Sequence, residues 1–281
     1  GGLAAVILFF AALYTILGKE KEMATTTKWA PFIVPGALVI GLVMLFLDLK
    51  HQLFFWQLYT TIRLESPMSW GAWVLMLITP LSMLWVASYI KEVIPNWNWK
   101  FRFMDILEAW VIRNRKGLAW VIIVLAVILG IYTGILLSAF NARPLWNTSI
   151  LGPLFLVSGM STGVATIMWM SKNHYERKVM GRIDLILITV ELFFITHLIM
   201  GFLASSSVQI AAAELFLGGP FTVSFWVFVV IFGLVFPALL EVLELVGYRI
   251  PVAIPSLLIL FGGLAFRFIM VEAGQITRYL Y

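Results

Sequence analysis

The chain has 281 residues, 62% of them hydrophobic and 12% charged, with a mean hydropathy of +1.00 and a formal net charge of +5. Soluble domains carry roughly 45–50% apolar and about 25% charged residues, so a soluble domain is excluded and an integral membrane protein is implied. Cysteine is absent, which excludes disulfides, thiolate chemistry and iron–sulfur ligation by this chain.

A bilayer core about 30 Å thick takes about 20 apolar residues per helical span. Apolar runs of that kind cover 1–17, 29–47, 71–90, 118–141, 150–170, 183–203, 220–246 and 254–271, so about eight transmembrane helices are expected. The short alternating segments of an outer-membrane barrel are missing. The first run is the shortest and opens on Gly1-Gly2 without a methionine, so part of the first helix is expected to lie upstream.

Lys and Arg concentrate in cytoplasmic loops. The loops at 18–28, 91–117, 171–182 and 247–253 hold 14 of them, and those at 48–70, 142–149, 204–219 and after 272 hold 4. The first set is expected to face the cytoplasm, with both visible termini outside. The cations therefore reflect topology, and nucleic acid is not expected as a partner. Within the longest cytoplasmic loop, apolar residues recur at helical spacing between cations over 100–117. This spacing predicts a helix lying in the interface against the lipid bilayer.

Small residues recur at Gly130, Gly134 and Ser138, at Gly159 and Gly163, and at Gly262 and Gly263. Such faces let helices approach closely. Eight spans divide naturally into two sets of four, although no repeat is strong enough to establish duplication.

Ionisable side chains inside a span cost about 2.5–3.5 kcal/mol each on insertion scales, so each one requires a reason. At 1.5 Å per residue, Tyr132 lies about 21 Å up the fourth span and Arg267 about 20 Å up the eighth, both in the outer third. Asp48 and His51 follow the outer end of the second span. Ser69 and Trp70 open the third, and Arg143 and Trp146 follow the fourth. Polar groups from several spans thus meet near one leaflet boundary, the arrangement a small amphipathic ligand requires. The plainer reading makes Trp70, Trp146 and Tyr132 belt aromatics and Arg143 an interfacial anchor.

A second group lies toward the cytoplasm. Asp184 starts the sixth span, and Glu191 follows seven residues and about 10.5 Å later on the same face. Glu241 and Glu244 share a face near the cytoplasmic end of the seventh span. Carboxylates at graded depth can relay protons, whereas an interfacial ion pair with Arg249 is the alternative for the last two. His197 stands about 240° round the sixth span from Glu191 and is also readable as a packing histidine. With three histidines and only His197 well inside a span, no haem is expected. No metal motif, nucleophile elbow or phosphate loop is present.

The segment Asp48-Leu49, followed by Ser66-Pro67-Met68-Ser69-Trp70-Gly71-Ala72-Trp73, resembles the polysulfide reductase membrane-subunit family of NrfD type. Further matches are Gly1-Gly2-Leu3-Ala4-Ala5, Gly130-Ile131-Tyr132-Thr133-Gly134, Pro144-Leu145-Trp146-Asn147, Ser158-Gly159-Met160-Ser161-Thr162-Gly163, and Gly262-Gly263 before Arg267. The resemblance implies two four-helix bundles, here 1–141 and 150–272, and an outer tail at 273–281. It also implies a respiratory oxidoreductase subunit without a redox cofactor, haem, metal or iron–sulfur cluster of its own. Such a subunit binds a quinone, menaquinone in particular, at the outer leaflet of a bacterial or archaeal cytoplasmic membrane. The implied partners are a ferredoxin-like iron–sulfur subunit on the outer face and a molybdopterin or other catalytic subunit, or a multihaem cytochrome.

On that resemblance Asp48, His51, Ser69, Trp70, Tyr132 and Arg267 are expected to form the quinone site. Asp184, Glu191, His197, Glu241 and Glu244 are expected to carry protons. Where the family often reads Asp-Leu-Gly-Arg-Pro, this chain has Asp48-Leu49-Lys50-His51-Gln52, so Lys50 or His51 would replace the arginine. The competing functions are a secondary transporter, which binds at mid-membrane on paired broken helices, and a structural anchor without a quinone site.

Overall fold

A computed structural model describes residues 1–63 and 65–279, and all regular structure among them is helical. In chain order the helices are α1 (Gly2–Ile16), α2 (Ile33–Asp48), α3 (Gln57–Thr60), α4 (Pro67–Ala87), α5 (Ile90–Val93) and α6 (Arg102–Arg113). They continue with α7 (Arg115–Ser138), α8 (Leu151–Met170), α9 (His174–Leu203), α10 (Ser207–Glu214), α11 (Phe236–Val246) and α12 (Ala253–Ile276). A π-helical turn, Thr25–Trp29, leads toward α2, and a π-helical stretch, Ser224–Val235, runs directly into α11.

Seven helices among the described residues are long and apolar enough to cross a membrane, and the protein is a multi-pass integral membrane protein. The first of the eight expected spans, Gly2–Ile16, is apolar but has only 15 residues, short of the length a bilayer requires. The tail expected from 273 begins as the last turn of α12. Its end, 280–281, lies outside the described residues, as does position 64 in the loop after α2.

The molecule packs as two compact units. One comprises Gly1–Tyr132 with Met170–Glu176, and the other Thr133–Trp169 with Arg177–Tyr281. In the first unit α1 is the innermost helix, with Ala4, Ala5, Ile7, Leu8, Ala11 and Ala12 all buried. A helix apolar on every side can be enclosed on every side. Next to it, the Glu176 carboxylate is wholly buried at the start of α9. It accepts the Thr25 N–H at 3.3 Å, the Thr26 N–H and hydroxyl at 2.7 Å each, and the Ser171 hydroxyl at 2.7 Å.

A charged layer forms where α4 ends. The Arg115 guanidinium lies 3.8 Å from the centre of the Tyr89 ring and donates to the Ser88 carbonyl at 2.7 Å. Lys91 pairs with Glu108 at 2.7 Å and with Asp105 at 2.9 Å, and these hydrogen bonds raise its ammonium above the ordinary lysine value. Glu108 also accepts the Trp99 indole N–H at 2.8 Å. The helix expected over 100–117 breaks at Asn114 into α6 and the start of α7. Glu108 and Val111 of α6 are buried, while Phe103, Ile106 and Trp110 point away from the protein.

In the second unit α12 crosses the π-helical stretch at Gly262 and Gly233. A Cβ on Gly233 would stand 2.6 Å from the Gly262 Cα, so only glycine permits this approach. The loop before α8 is pinned to the end of α12. Trp146 donates its indole N–H to the Met270 carbonyl at 2.9 Å, and Arg143 donates to the Gln275 and Thr277 carbonyls at 2.5 and 2.9 Å. Helix α11 ends at Gly247, whose φ of +115° lies in the left-handed region and lets Tyr248 N–H bond back to the Leu243 carbonyl at 3.0 Å.

Candidate functional site

Two groups of polar residues stand out, one in each unit. In the first unit the aromatic segment after α2 folds back over the start of α4, where Pro67 occupies the first helical position. The Trp73 indole N–H donates to the Tyr59 carbonyl at 3.2 Å, and Phe46 meets Phe55 edge to face at 5.8 Å. This fold forms two adjoining cavities, both open to the surface. One, of about 360 Å³, is lined by Lys50, His51, Phe54, Gln57, Thr61 and Ser69 among others. The other, of about 300 Å³, is lined by Val39, Val43, Phe46, Phe55 and Tyr59 among others and is almost purely apolar. Leu49 and Leu58 border both.

Of the six residues expected at one pocket, the structure brings His51 and Ser69 to the wall of the first cavity. Asp48 is the exposed last residue of α2. Trp70 is exposed and meets the Trp73 ring at 5.9 Å. The Tyr132 ring packs on Gly71 so closely that a Cβ there would collide with its Cζ. Since Gly71 lies about 200° round the helix from Ser69, Tyr132 covers the side of α4 away from the His51 cavity. Arg267 belongs to the second unit, where it donates to its own Gly263 carbonyl at 2.6 Å and faces Glu191.

Gly71→Ala should therefore displace the Tyr132 ring. We expect a stability loss of about 1–3 kcal/mol, the usual range for an extra methyl in a filled space. Thermal unfolding checks this, and pairing the change with Tyr132→Ala should recover much of the loss. An unchanged midpoint for the single variant would show that the ring is not held there.

The second group is buried within the second unit. Asp184 and Glu191 on α9 are 0% and 2% exposed, and Glu241 on α11 is 2% exposed. Their seven-residue spacing puts Asp184 and Glu191 on one face. The Asp184 carboxylate neighbours Ser161 and Glu241, and the Glu191 carboxylate neighbours Ser158, with Arg267 as the nearest cation in its field. Glu244 is half-buried and lies near Glu241.

His197 does not join this group. It lies on the outward side of α9, stacked on Phe193 at 6.0 Å, because six residues turn the helix through about 240°. The serines of α8 were not singled out as site residues from the sequence, although Ser158-Gly-Met-Ser161 has the three-residue spacing of one helix face. Glu176 was hidden by its setting in a basic loop. No group of three or more His, Cys, Asp or Glu able to hold a metal occurs among the described residues.

The family described as Polysulphide reductase, NrfD, matches residues 1–278 of the chain. Protein NrfD of Escherichia coli is 30% identical over 273 residues, covering 92% of this chain and 85% of that protein. A polysulfide reductase subunit of Wolinella succinogenes is 30% identical over 295 aligned positions, covering 96% of this chain and 92% of that subunit. Protein NrfD homolog of Haemophilus influenzae is 26% identical over 257 residues, 85% of this chain and 79% of that protein.

Proposed function

Because the chain belongs to the polysulphide reductase NrfD family, we propose that it is the quinone-handling membrane subunit of a respiratory oxidoreductase, with its spans grouped as two four-helix bundles. Its substrate is a membrane quinone, menaquinone in the first instance. Electrons pass between that quinone and an iron–sulfur subunit docked on the outer face, which connects in turn to a molybdopterin or other catalytic subunit.

The observation that carries this reading is the pair of adjoining open cavities around Leu49 and Leu58, one with a few polar side chains in a mainly apolar wall and one almost purely apolar. Together they offer the few hundred Å³ and the mixed lining that an amphipathic ligand takes. His51, Gln57 and Ser69 would hold and orient a quinone head, and the Val39, Val43 and Phe46 wall would hold its tail. A quinone, when bound, supplies two-electron, two-proton chemistry. The residues of the chain move the protons. Asp48 stands at the outer end of α2, while Glu191, Asp184, Glu241 and Glu244 form a graded series in the second unit. Tyr132 and Gly71 fix the start of α4, and Arg267 balances Glu191.

The test is quinol oxidation or quinone reduction by the intact purified complex, comparing wild type with His51→Ala, Asp48→Asn and Tyr132→Phe. A tenfold or greater fall in His51→Ala, with normal assembly, corresponds to about 1.4 kcal/mol of lost transition-state stabilisation and supports the site. If all three variants turn over like wild type, the cavity is not the quinone site.

A further inference from the structure

Helix α6 carries an exposed surface that neither the quinone cavity nor the buried carboxylates use. Its position along the membrane normal is fixed by the two spans it connects. Arg115, the first residue of α7, donates to the carbonyl of Ser88, the residue that caps α4, at 2.7 Å. Both α4 and α7 are long and apolar enough to cross a membrane, so these joined ends mark one membrane boundary. Helix α6 runs into α7 at that boundary, where lipid headgroups stand.

The arrangement of side chains around α6 follows from about 100° of rotation per residue. Phe103, Ile106, Leu107 and Trp110 fall within about 100° of its circumference, and all four are exposed. Arg102 and Arg113 lie 11 residues apart, which is three turns and about 16.5 Å, so they share one stripe. That stripe runs along the edge of the apolar face opposite the buried Val111, and both arginines are exposed.

The acidic residues of α6 do not neutralise this stripe. Asp105 and Glu108 are both taken by Lys91 of α5, at 2.9 and 2.7 Å. No ion pair among the described residues includes Arg102 or Arg113. The outward surface of α6 is therefore apolar with a purely cationic edge. Arginine can lay its stem along apolar surface while its charged head stays at the polar level, and tryptophan favours the same boundary.

We propose that this face of α6 binds anionic phospholipid. Phe103, Ile106, Leu107 and Trp110 lie among the upper acyl chains, and the Arg102 and Arg113 guanidiniums meet the headgroups. A guanidinium fork bonds phosphate oxygens of any phospholipid, but net attraction requires a headgroup with net negative charge. The site thus collects anionic over zwitterionic lipid at this end of the first unit. It does not rest on the quinone reading.

The test places a fluorescent non-canonical amino acid at the exposed position 106 of the chain within its purified native complex, in phosphatidylcholine nanodiscs. Spin-labelled phosphatidylglycerol or spin-labelled phosphatidylcholine, at equal mole fraction, is the quencher. Because one cation at an anionic surface is worth roughly fivefold in association, phosphatidylglycerol should reach the probe about fivefold or more in excess over phosphatidylcholine. Arg102→Gln combined with Arg113→Gln should bring the ratio below about twofold. Lys172→Gln combined with Lys178→Gln removes two exposed cations outside α6 and should leave it unchanged. Raising the salt to about 1 M, where the Debye length is about 3 Å, should lower the ratio in the otherwise wild-type chain without any charge variant. Equal quenching by the two lipids at low salt overturns the proposal, α6 then resting on lipid without headgroup selectivity. An equal fall in both double variants overturns it as well, since the preference then belongs to the charge of the whole surface. Absence of quenching by either lipid would show that water or a partner subunit covers the face instead.

Discussion

Glu176→Ala is expected to lower the unfolding midpoint by on the order of 10 °C and to reduce the yield of assembled protein. The carboxylate is wholly buried and takes four hydrogen bonds, from the Thr25 and Thr26 N–H groups and from the Thr26 and Ser171 hydroxyls. The two N–H groups belong to the first turn leading into α2, where no intrahelical acceptor exists. Hydroxyls can rotate to other partners, but the backbone donors cannot. A buried donor left unsatisfied costs about 1–3 kcal/mol, so the alanine change should cost about 3–5 kcal/mol in all.

For a protein of this size each kcal/mol moves the midpoint by about 2–4 °C. Glu176→Gln keeps one oxygen for Thr26 but turns an NH₂ toward the Thr25 N–H or loses the other bonds, so it should recover about half of the effect. Differential scanning fluorimetry on the purified protein measures both. An alanine variant within about 1 °C of wild type would show that Glu176 does not tie α9 to the Thr25–Trp29 turn.

Gly262→Ala is expected to disrupt the second unit, because its new methyl would meet the Gly233 Cα and carbonyl carbon, not a side chain that can move aside. Overpacking typically costs about 1–3 kcal/mol, and two opposed backbones place this case at the upper end. The consequence reaches the carboxylates. Helix α11 continues from the π-helical stretch that contains Gly233, so separating α12 from it shifts Glu241 against Asp184. Gly41→Ala in α2 is the control, with no atom within 4 Å of the new carbon. It should be neutral or slightly stabilising, since alanine is about 1 kcal/mol better than glycine inside a helix. Equal midpoints for the two variants would remove the crossing from the account.

Much of the architecture was legible in the residues. Apolar runs of about 20 residues marked the spans, because a bilayer leaves no other way to satisfy the backbone. The first run, counted among eight spans, is instead a 15-residue helix below spanning length, because hydropathy alone does not set where a helix ends. Heptad spacing placed Asp184 and Glu191 on one helix face, and the same arithmetic turned His197 away from it. The third run, read from 71, begins in the structure four residues earlier at Pro67.

Other features depend on which helix comes to rest against which. Expected depth grouped Asp48, His51, Ser69, Trp70, Tyr132 and Arg267, yet depth fixes only one coordinate. The rotation of α4 sets Ser69 toward the cavity and Tyr132 on the opposite side of the helix. Arg143 and Trp146, placed with them by level, turn instead to the carbonyls of α12.

By itself the sequence determined that this protein lives in a membrane, roughly how many times it crosses, and which carboxylates fall within its apolar runs. Those properties follow from local hydropathy and from the 3.6-residue helical period. Only the tertiary structure decided that Glu176 would be a buried four-bond acceptor about 150 residues from Thr25 and Thr26. It also decided that Gly262 would meet Gly233, and that Asp184 would find Glu241 and Ser161 beside it. Partners so distant in sequence are chosen by close packing across helices, where a single methyl or a turn of rotation changes which atoms touch.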